Sequence, residues 1–196
     1  KGYITNVSID LPYLGLPKPF YEILSKQMPD IQEHMGDLYD NEIGNAFIDI
    51  IKSKVKNLNE SYLIIQGPPG TGKSYTSSQI IKQLVQDHPD IKIGISSNSH
   101  KAIDGLLISV AQELKGKIPL YKKLSNGNLS DEMQELGIQN SGKTAVKKEK
   151  NLATSYITAG TVYAMMGEDP IDYLFIDEAG QVSLANLFIM SLVAKN

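Results

Sequence analysis

The 196-residue chain has no cysteine and only three histidines, which excludes a disulfide framework, a thiolate metal site and a histidine-rich one. Hydrophobic residues at 41% and charged residues at 21% are ordinary for a globular protein, and the length suffices for one α/β domain with a real core. A net charge of −3 argues against a protein that coats nucleic acid without specificity. No apolar run approaches the length of a membrane span, no signal peptide is visible, and the first residue is Lys1 rather than methionine. The expectation is an excised stretch of a soluble, cytoplasmic protein without membrane contact.

Residues 1–60 are expected to form an irregular and helical lead-in. Pro12, Pro17, Pro19 and Pro29 punctuate its first part and leave room for one short helix near residues 20–27. Between Asn41 and Val55, residues Ile43, Ala46, Phe47, Ile50 and Ile51 recur at helical spacing and predict an amphipathic helix. Tyr62-Leu63-Ile64-Ile65 reads as a buried strand and opens a domain over residues 61–196.

Residues 67–74 read Gly-Pro-Pro-Gly-Thr-Gly-Lys-Ser, the phosphate-binding loop pattern of nucleoside triphosphatases. After it, Ile80, Ile81, Leu84 and Val85 fall on one helical face until Asp87-His88-Pro89 stops the helix. Strand, glycine loop and helix form the geometry that phosphate binding requires. Glycines let backbone N–H groups close around phosphate oxygens, and the helix N-terminus adds its positive end. In that pattern Lys73 reaches the terminal phosphates and Ser74 ligates Mg²⁺.

Residues 91–95 predict the next strand, and Ile103, Leu106, Leu107, Val110, Ala111 and Leu114 a helix with an unbroken apolar stripe. Residues from about 112 to 152 are polar and weakly periodic, and predict a partly helical, partly mobile insertion. Eight lysines face five acids between Gln112 and Asn151, a pattern that most often marks a solvated face. Within it, residues 137–144 match the phosphate-loop pattern a second time. Acidic polar residues precede this match and no apolar helical face follows it, so it predicts a flexible surface turn. Residues 156–159 and 173–176 predict two further strands, and residues 183–193 a last helix. Strands alternating with helices imply an α/β fold, a parallel sheet with helices on both faces.

Asp177-Glu178 directly follows the fourth predicted strand. An aspartate there suits a magnesium ligand, and the glutamate suits the base that deprotonates an attacking water. Ser96-Ser97-Asn98-Ser99-His100-Lys101 lies between a strand and a helix. Its small polar groups and lysine suit a nucleic-acid phosphate, or equally a plain helix cap. Thr158 and Thr161 carry the same ambiguity.

Residues 66–74, taken with Asp177-Glu178-Ala179-Gly180-Gln181, resemble the DEAxQ-box branch of superfamily 1 helicases. Residues 97–104 look like the motif Ia of that family, and Ala159-Gly160-Thr161-Val162-Tyr163 looks like its later phosphate-contacting motif. The chain is most similar to the helicase part of bacterial proteins that join a RecB-like nuclease to such a motor. The similarity covers about residues 61–110 and 154–192. It implies two RecA-like P-loop NTPase domains with ATP between them, of which this chain holds most of the first. The chain ends before motif III, so this stretch alone is expected to be poorly active. The resemblance further implies 5′ to 3′ movement, a second RecA-like domain, a possible fused nuclease, and single-stranded nucleic acid as partner, DNA favoured. By resemblance Lys73, Glu178 and Gln181 are catalytic, and Gly67, Pro68, Pro69, Gly70, Thr71, Gly72, Lys73, Ser74 and Tyr75 surround ATP. Ser74 and Asp177 hold Mg²⁺, while Asn98, Ser99, His100, Lys101, Thr158 and Thr161 meet nucleic acid. No glutamine matches the upstream adenine-reading position of the family; Asn41 and Asn45 lie in that region.

An AAA+ ATPase that remodels protein partners is the rival reading, because it shares the Gly-Pro-Pro-Gly-Thr-Gly-Lys loop and a strand-end Asp-Glu. The 104 positions between Lys73 and Asp177, and Gln181 after them, count against it. A nucleotide-binding scaffold without turnover is a third class, against which Glu178 stands.

Overall fold

Ile93 and Ile95 alternate with Gly94 along one short strand, and the alternation sorts the molecule into two layers around a sheet. The computed structural model describes residues 16–27, 29–31, 45–68, 70–124, 126–142, 144–166 and 168–196. In chain order the elements are α1 (Lys18–Leu24), α2 (Asn45–Lys56), α3 (Lys73–Asp87), β1 (Lys92–Ser96), α4 (His100–Leu114), β2 (Leu120–Lys122), α5 (Asp131–Glu135), β3 (Gln139–Asn140), α6 (Thr144–Leu152), β4 (Tyr156–Gly160), α7 (Val162–Met165), β5 (Tyr173–Ile176) and α8 (Leu184–Ser191). All strand pairs are parallel, in the order β3-β2-β4-β1-β5. Parallel neighbours need crossover connections, and α4 and α7 begin such crossovers.

One layer is α2, α3 and α4, packed in sequence. Ile80, Ile81 and Leu84 of α3 and Ile103, Leu107 and Val110 of α4 are buried with Ile93, Ile95 and Ile157 of the sheet. Each such side chain contributes about 1.5–3 kcal/mol by leaving water. Ser99 starts α4 by accepting the Ala102 N–H at 3.1 Å. Lys115 ends it in the left-handed region, its N–H reaching the Ala111 carbonyl at 3.0 Å. The second layer is α7 and α8, with α1 on the far side of α8 through a Phe20–Phe188 ring contact at 5.1 Å. It sits tightly on β1. A Cβ added to Gly94 would lie 2.4 Å from Ile171 Cδ1 and 2.8 Å from Met165 Cε. Among the described residues no helix is long and apolar enough to cross a membrane.

Most expected elements form within a few residues of their anticipated bounds, and three differences are informative. Residues 62–65 run extended, with Leu63 and Ile65 against the core, but no described strand pairs with them. Residues 194–196 run beside β5 and its lead-in instead. Asn196 bonds Asp172 and Leu174 through its backbone and accepts the Ser61 N–H through Oδ1 at 3.1 Å. Ile64 is therefore left exposed.

Residues 112–152 do hold two helices, α5 and α6, but they also supply two strands of the sheet, β2 and β3. The expected flexible turn at 137–144 is instead partly buried. Asn140 and Ser141 are covered, and Asn140 Oδ1 accepts from Leu124 N at 3.2 Å and Gly142 N at 2.9 Å. The lysine excess is partly internal too. Lys122 pairs with Asp104 of α4, and Lys150 with Glu168, both ammonium groups nearly buried. Desolvated lysines are tolerated there because each meets a carboxylate. The segment's lysines are thus not simply a solvated face.

Most of the expected proline-rich lead-in lies outside the described residues. Its short helix is α1, which starts at Lys18 because Pro19 fits a first helical turn.

Two glycines separate packing from propensity. At Gly142 an added Cβ would meet the Leu124 carbonyl oxygen at 2.1 Å, whereas at Gly105, inside α4, it meets nothing within 4 Å. Gly142→Ala should lower stability by about 1–3 kcal/mol through overpacking. Gly105→Ala should raise it by roughly 0.5–1 kcal/mol through helix propensity. Urea denaturation midpoints of the two variants check both signs.

Candidate nucleotide-binding site

The loop that follows residues 62–65 closes on itself. Gly70 and Gly72 adopt φ of +80° and +84°, a region that favours glycine. Gly67 is needed for space, since an added Cβ would lie 2.7 Å from Thr71 Oγ1. Thr71 Oγ1 donates to the Pro68 carbonyl at 2.8 Å. Lys73 stretches its ammonium back across the loop, 2.8 Å from the carbonyls of Gly67 and Pro68. The cation is thereby held over the loop before any ligand arrives. Pro69 lies outside the described residues.

α3 begins at Lys73 with Gly72 as its cap, and no side chain caps its first turn. The amides of that turn keep their donors for an anion, with the dipole of a 15-residue helix behind them. A cavity of about 260 Å³ opens here. Gln66, Gly67, Pro68, Thr71, Lys73 and Thr76 line it together with two apolar side chains, Phe47 and Ile65. Ser74 is exposed next to it, and Tyr75, also exposed, does not line it.

Phe47 escaped the sequence reading. Its spacing in the apolar stripe of α2 is that of a core residue, and periodicity does not tell the covered end of a stripe from the open end. Asn41 lies outside the described residues.

β5 delivers Asp177 at the same edge as the end of β1, with the Asp177 N–H on the Ser96 carbonyl at 2.9 Å. Glu178 follows with φ of +53°, left-handed for a residue that is not glycine. Such a conformation costs roughly 1–3 kcal/mol and persists where the surroundings enforce it. Two contacts do so. The Glu178 N–H donates to Asp177 Oδ1 at 2.9 Å, and its carbonyl accepts the Gln181 N–H at 2.9 Å, closing a 3-10 turn over Ala179–Gln181. The Glu178 side chain is left exposed.

The polar strip divides. His100 and Lys101 are exposed on the first turn of α4. Thr161 is half-buried and caps α7 without a side-chain capping bond. Ser99 Oγ accepts the Ala102 N–H and so caps α4, which leaves its O–H free to donate. Asn98 donates its amide to the Gln181 carbonyl, tying the strip to the turn after β5. Thr158 requires correction: β4 continues to Gly160, which leaves Thr158 in mid-strand beside Gly94 and Tyr121, fully buried and unable to reach a ligand at the edge.

The donor set fits a triphosphate: first-turn amides, an ammonium and a serine hydroxyl. Ser74 and Asp177 offer hard oxygens of the kind magnesium takes. Among the described residues no group of three or more His, Asp or Glu could hold a metal by itself. A cation here would depend on phosphate oxygens and water as well.

Comparison with known proteins agrees with this arrangement. Residues 48–159 match the AAA domain family, a span that includes the loop and ends before Asp177. The chain is similar to the DNA replication ATP-dependent helicase/nuclease DNA2 of Saccharomyces cerevisiae, 26% identical over 145 residues. It is also similar to the protein of that name from Schizosaccharomyces pombe, 32% identical over 140 residues. The ATP-dependent helicase NAM7 of Saccharomyces cerevisiae is 30% identical over 137 residues. These alignments cover 64%, 64% and 68% of the chain but 8%, 9% and 14% of the relatives.

The second loop pattern offers a control. Its strand, β3, lies inside the motif, and the Gly142 N–H is turned inward to Asn140 rather than outward to an anion. Lys73→Ala should abolish tight triphosphate binding while Lys143→Ala leaves it at the wild-type level. Calorimetric titration with Mg-ATP measures both, and equal losses would refute the assignment of the loop.

Proposed function

Because the chain belongs to the AAA domain family, as an ATP-binding motor domain of the superfamily 1 helicase type, we propose that it couples Mg-ATP hydrolysis to movement on single-stranded nucleic acid, DNA in preference to RNA. The observation that carries the proposal is the tie between two loops at one sheet edge. The hydrolytic carboxylates and the polar strip are joined by the bonds from Asp177 to Ser96 and from Asn98 to Gln181. A motor requires such a tie, since nucleic acid on one loop must alter the geometry of the other.

In this reading Lys73 and the first-turn amides of α3 hold the terminal phosphates, and Ser74 and Asp177 are the protein's magnesium ligands. The magnesium ion supplies charge compensation for the phosphoryl group when bound. Glu178 Oε accepts a proton from the attacking water, and Gln181 senses the state of the site through its turn. Asn98, His100, Lys101 and Thr161 face the nucleic-acid backbone. The chain spans less than a sixth of the relatives it matches, so the remaining parts are proposed from resemblance. They are a second RecA-like domain and a fused nuclease of RecB type. Two of the relatives are named helicase/nuclease, which supports the nuclease. The protein-remodelling alternative is not favoured, because the three relatives described above are named helicases.

Glu178→Gln preserves shape and removes the base. In the intact protein ATP affinity should stay within a few-fold of wild type, while single-turnover hydrolysis falls by about 10²–10⁴. Near-normal turnover would take Glu178 out of the base role.

Nucleic-acid binding should be nearly independent of sequence, since hydroxyl, amide and ammonium donors suit phosphate oxygens. Lys101→Ala should reduce the slope of log affinity against log salt by about 0.7, one single-strand phosphate contact. Thr161→Ala should weaken binding without changing the slope. Unchanged binding and slope in both variants, measured by fluorescence anisotropy on single strands, would reduce the strip to helix caps.

A further inference from the structure

The apolar stripe of α2 runs through Phe47, Ile51 and Val55, positions i, i+4 and i+8 on one helix face. Ile51 and Val55 are 6% and 5% exposed, deep in the core with α3. Phe47 is 37% exposed and continues the stripe past the core, into the cavity beside the phosphate loop. The cavity thus joins the phosphate-loop residues and Lys73 to a part-exposed phenyl ring in one lining. A nucleotide likewise joins a polyanion at one end to a flat ring at the other.

We infer that Phe47 is the platform on which the base of the bound nucleotide stacks, so that this chain takes the triphosphate by its loop and the base by the face of its ring. The inference rests on the reading of residues 67–74 as the triphosphate loop. No other aromatic residue and no acidic residue lines the cavity among the described residues. Stacking on an aromatic ring is tolerant of base identity, because every base presents a π face. Phe47 therefore contributes affinity for nucleotides that a bare polyphosphate does not receive.

The test separates the ring from the loop with two ligands, Mg-ATP and Mg-tripolyphosphate, titrated calorimetrically against the protein. Phe47→Ala and Phe47→Leu should each weaken ATP about ten-fold, the effect of one lost base stack, and leave tripolyphosphate unchanged. The leucine variant keeps apolar volume without a π face, so it distinguishes stacking from simple packing. Phe47→Trp should bind ATP as wild type does. It also introduces a tryptophan into a chain that has none, whose emission ATP should quench and tripolyphosphate should not. Wild-type ATP affinity in Phe47→Leu, or equal weakening of ATP and tripolyphosphate, would overturn the stacking role. Failure of the wild-type protein to bind tripolyphosphate would overturn the reading of the loop itself, and the stacking role with it.

Discussion

Ser96 sits opposite Gly160 on one side and Ile176 on the other, and this register is the constraint on which the edge carrying Asp177 and the polar strip depends. Three parallel strands end at one level because hydrogen bonds on both edges of β1 fix them there. The segments that leave them, residues 97–101, residue 161 onward and residues 177–181, therefore emerge side by side. A shift of one residue in either pairing would turn every inward side chain outward and cost the buried isoleucines of β1. The core enforces the register, and the register assembles the edge. Ligand sites of open α/β sheets lie at such carboxyl ends for this reason.

The turn after β5 is the most constrained part of that edge. Glu178 is held in a strained conformation by its neighbours, while Asp177 stays against β1 through the Ser96 carbonyl. The two carboxylates thus differ in exposure although they are adjacent in sequence. Asn98 adds a cross-link from the neighbouring loop to the far end of the same turn. One hydrogen bond thus links residues 97–101 directly to Gln181.

The segment between α4 and β4 is built into the sheet rather than hung from it. β2 and β3 extend the sheet beyond β4, and the Lys122–Asp104 pair ties that extension to α4. Glu168 gathers Lys150 from α6 and Lys123 from the end of β2, and Lys123 also donates to the Ala164 carbonyl of α7 at 2.9 Å. Removing one partner of such a pair leaves a buried charge and is far more costly than the pair itself is stabilising. The helix that presents Thr161 is consequently anchored from the sheet extension as well as from β4.

The sequence by itself determined the phosphate loop, the strand-end Asp-Glu and the alternation of strands and helices. Each is a local pattern whose meaning lies in a few residues: glycines where φ must be positive, apolar spacing that matches one period, acids at the end of an apolar run. It also separated Gly67–Ser74 from the second match at 137–144, although for an incomplete reason. The second match does have a strand and a helix around it, but its strand lies within the motif and its glycine amide is turned inward. Only the tertiary structure decided that Thr158 is buried, that Ser99 is a cap and that Phe47 lines the cavity beside the phosphate loop. It also decided that residues 112–152 join the sheet, and that no described strand pairs with residues 62–65. All of these depend on which neighbour covers a residue. Periodicity records the face of an element on which a side chain lies, whereas burial is settled by partners far away in the chain.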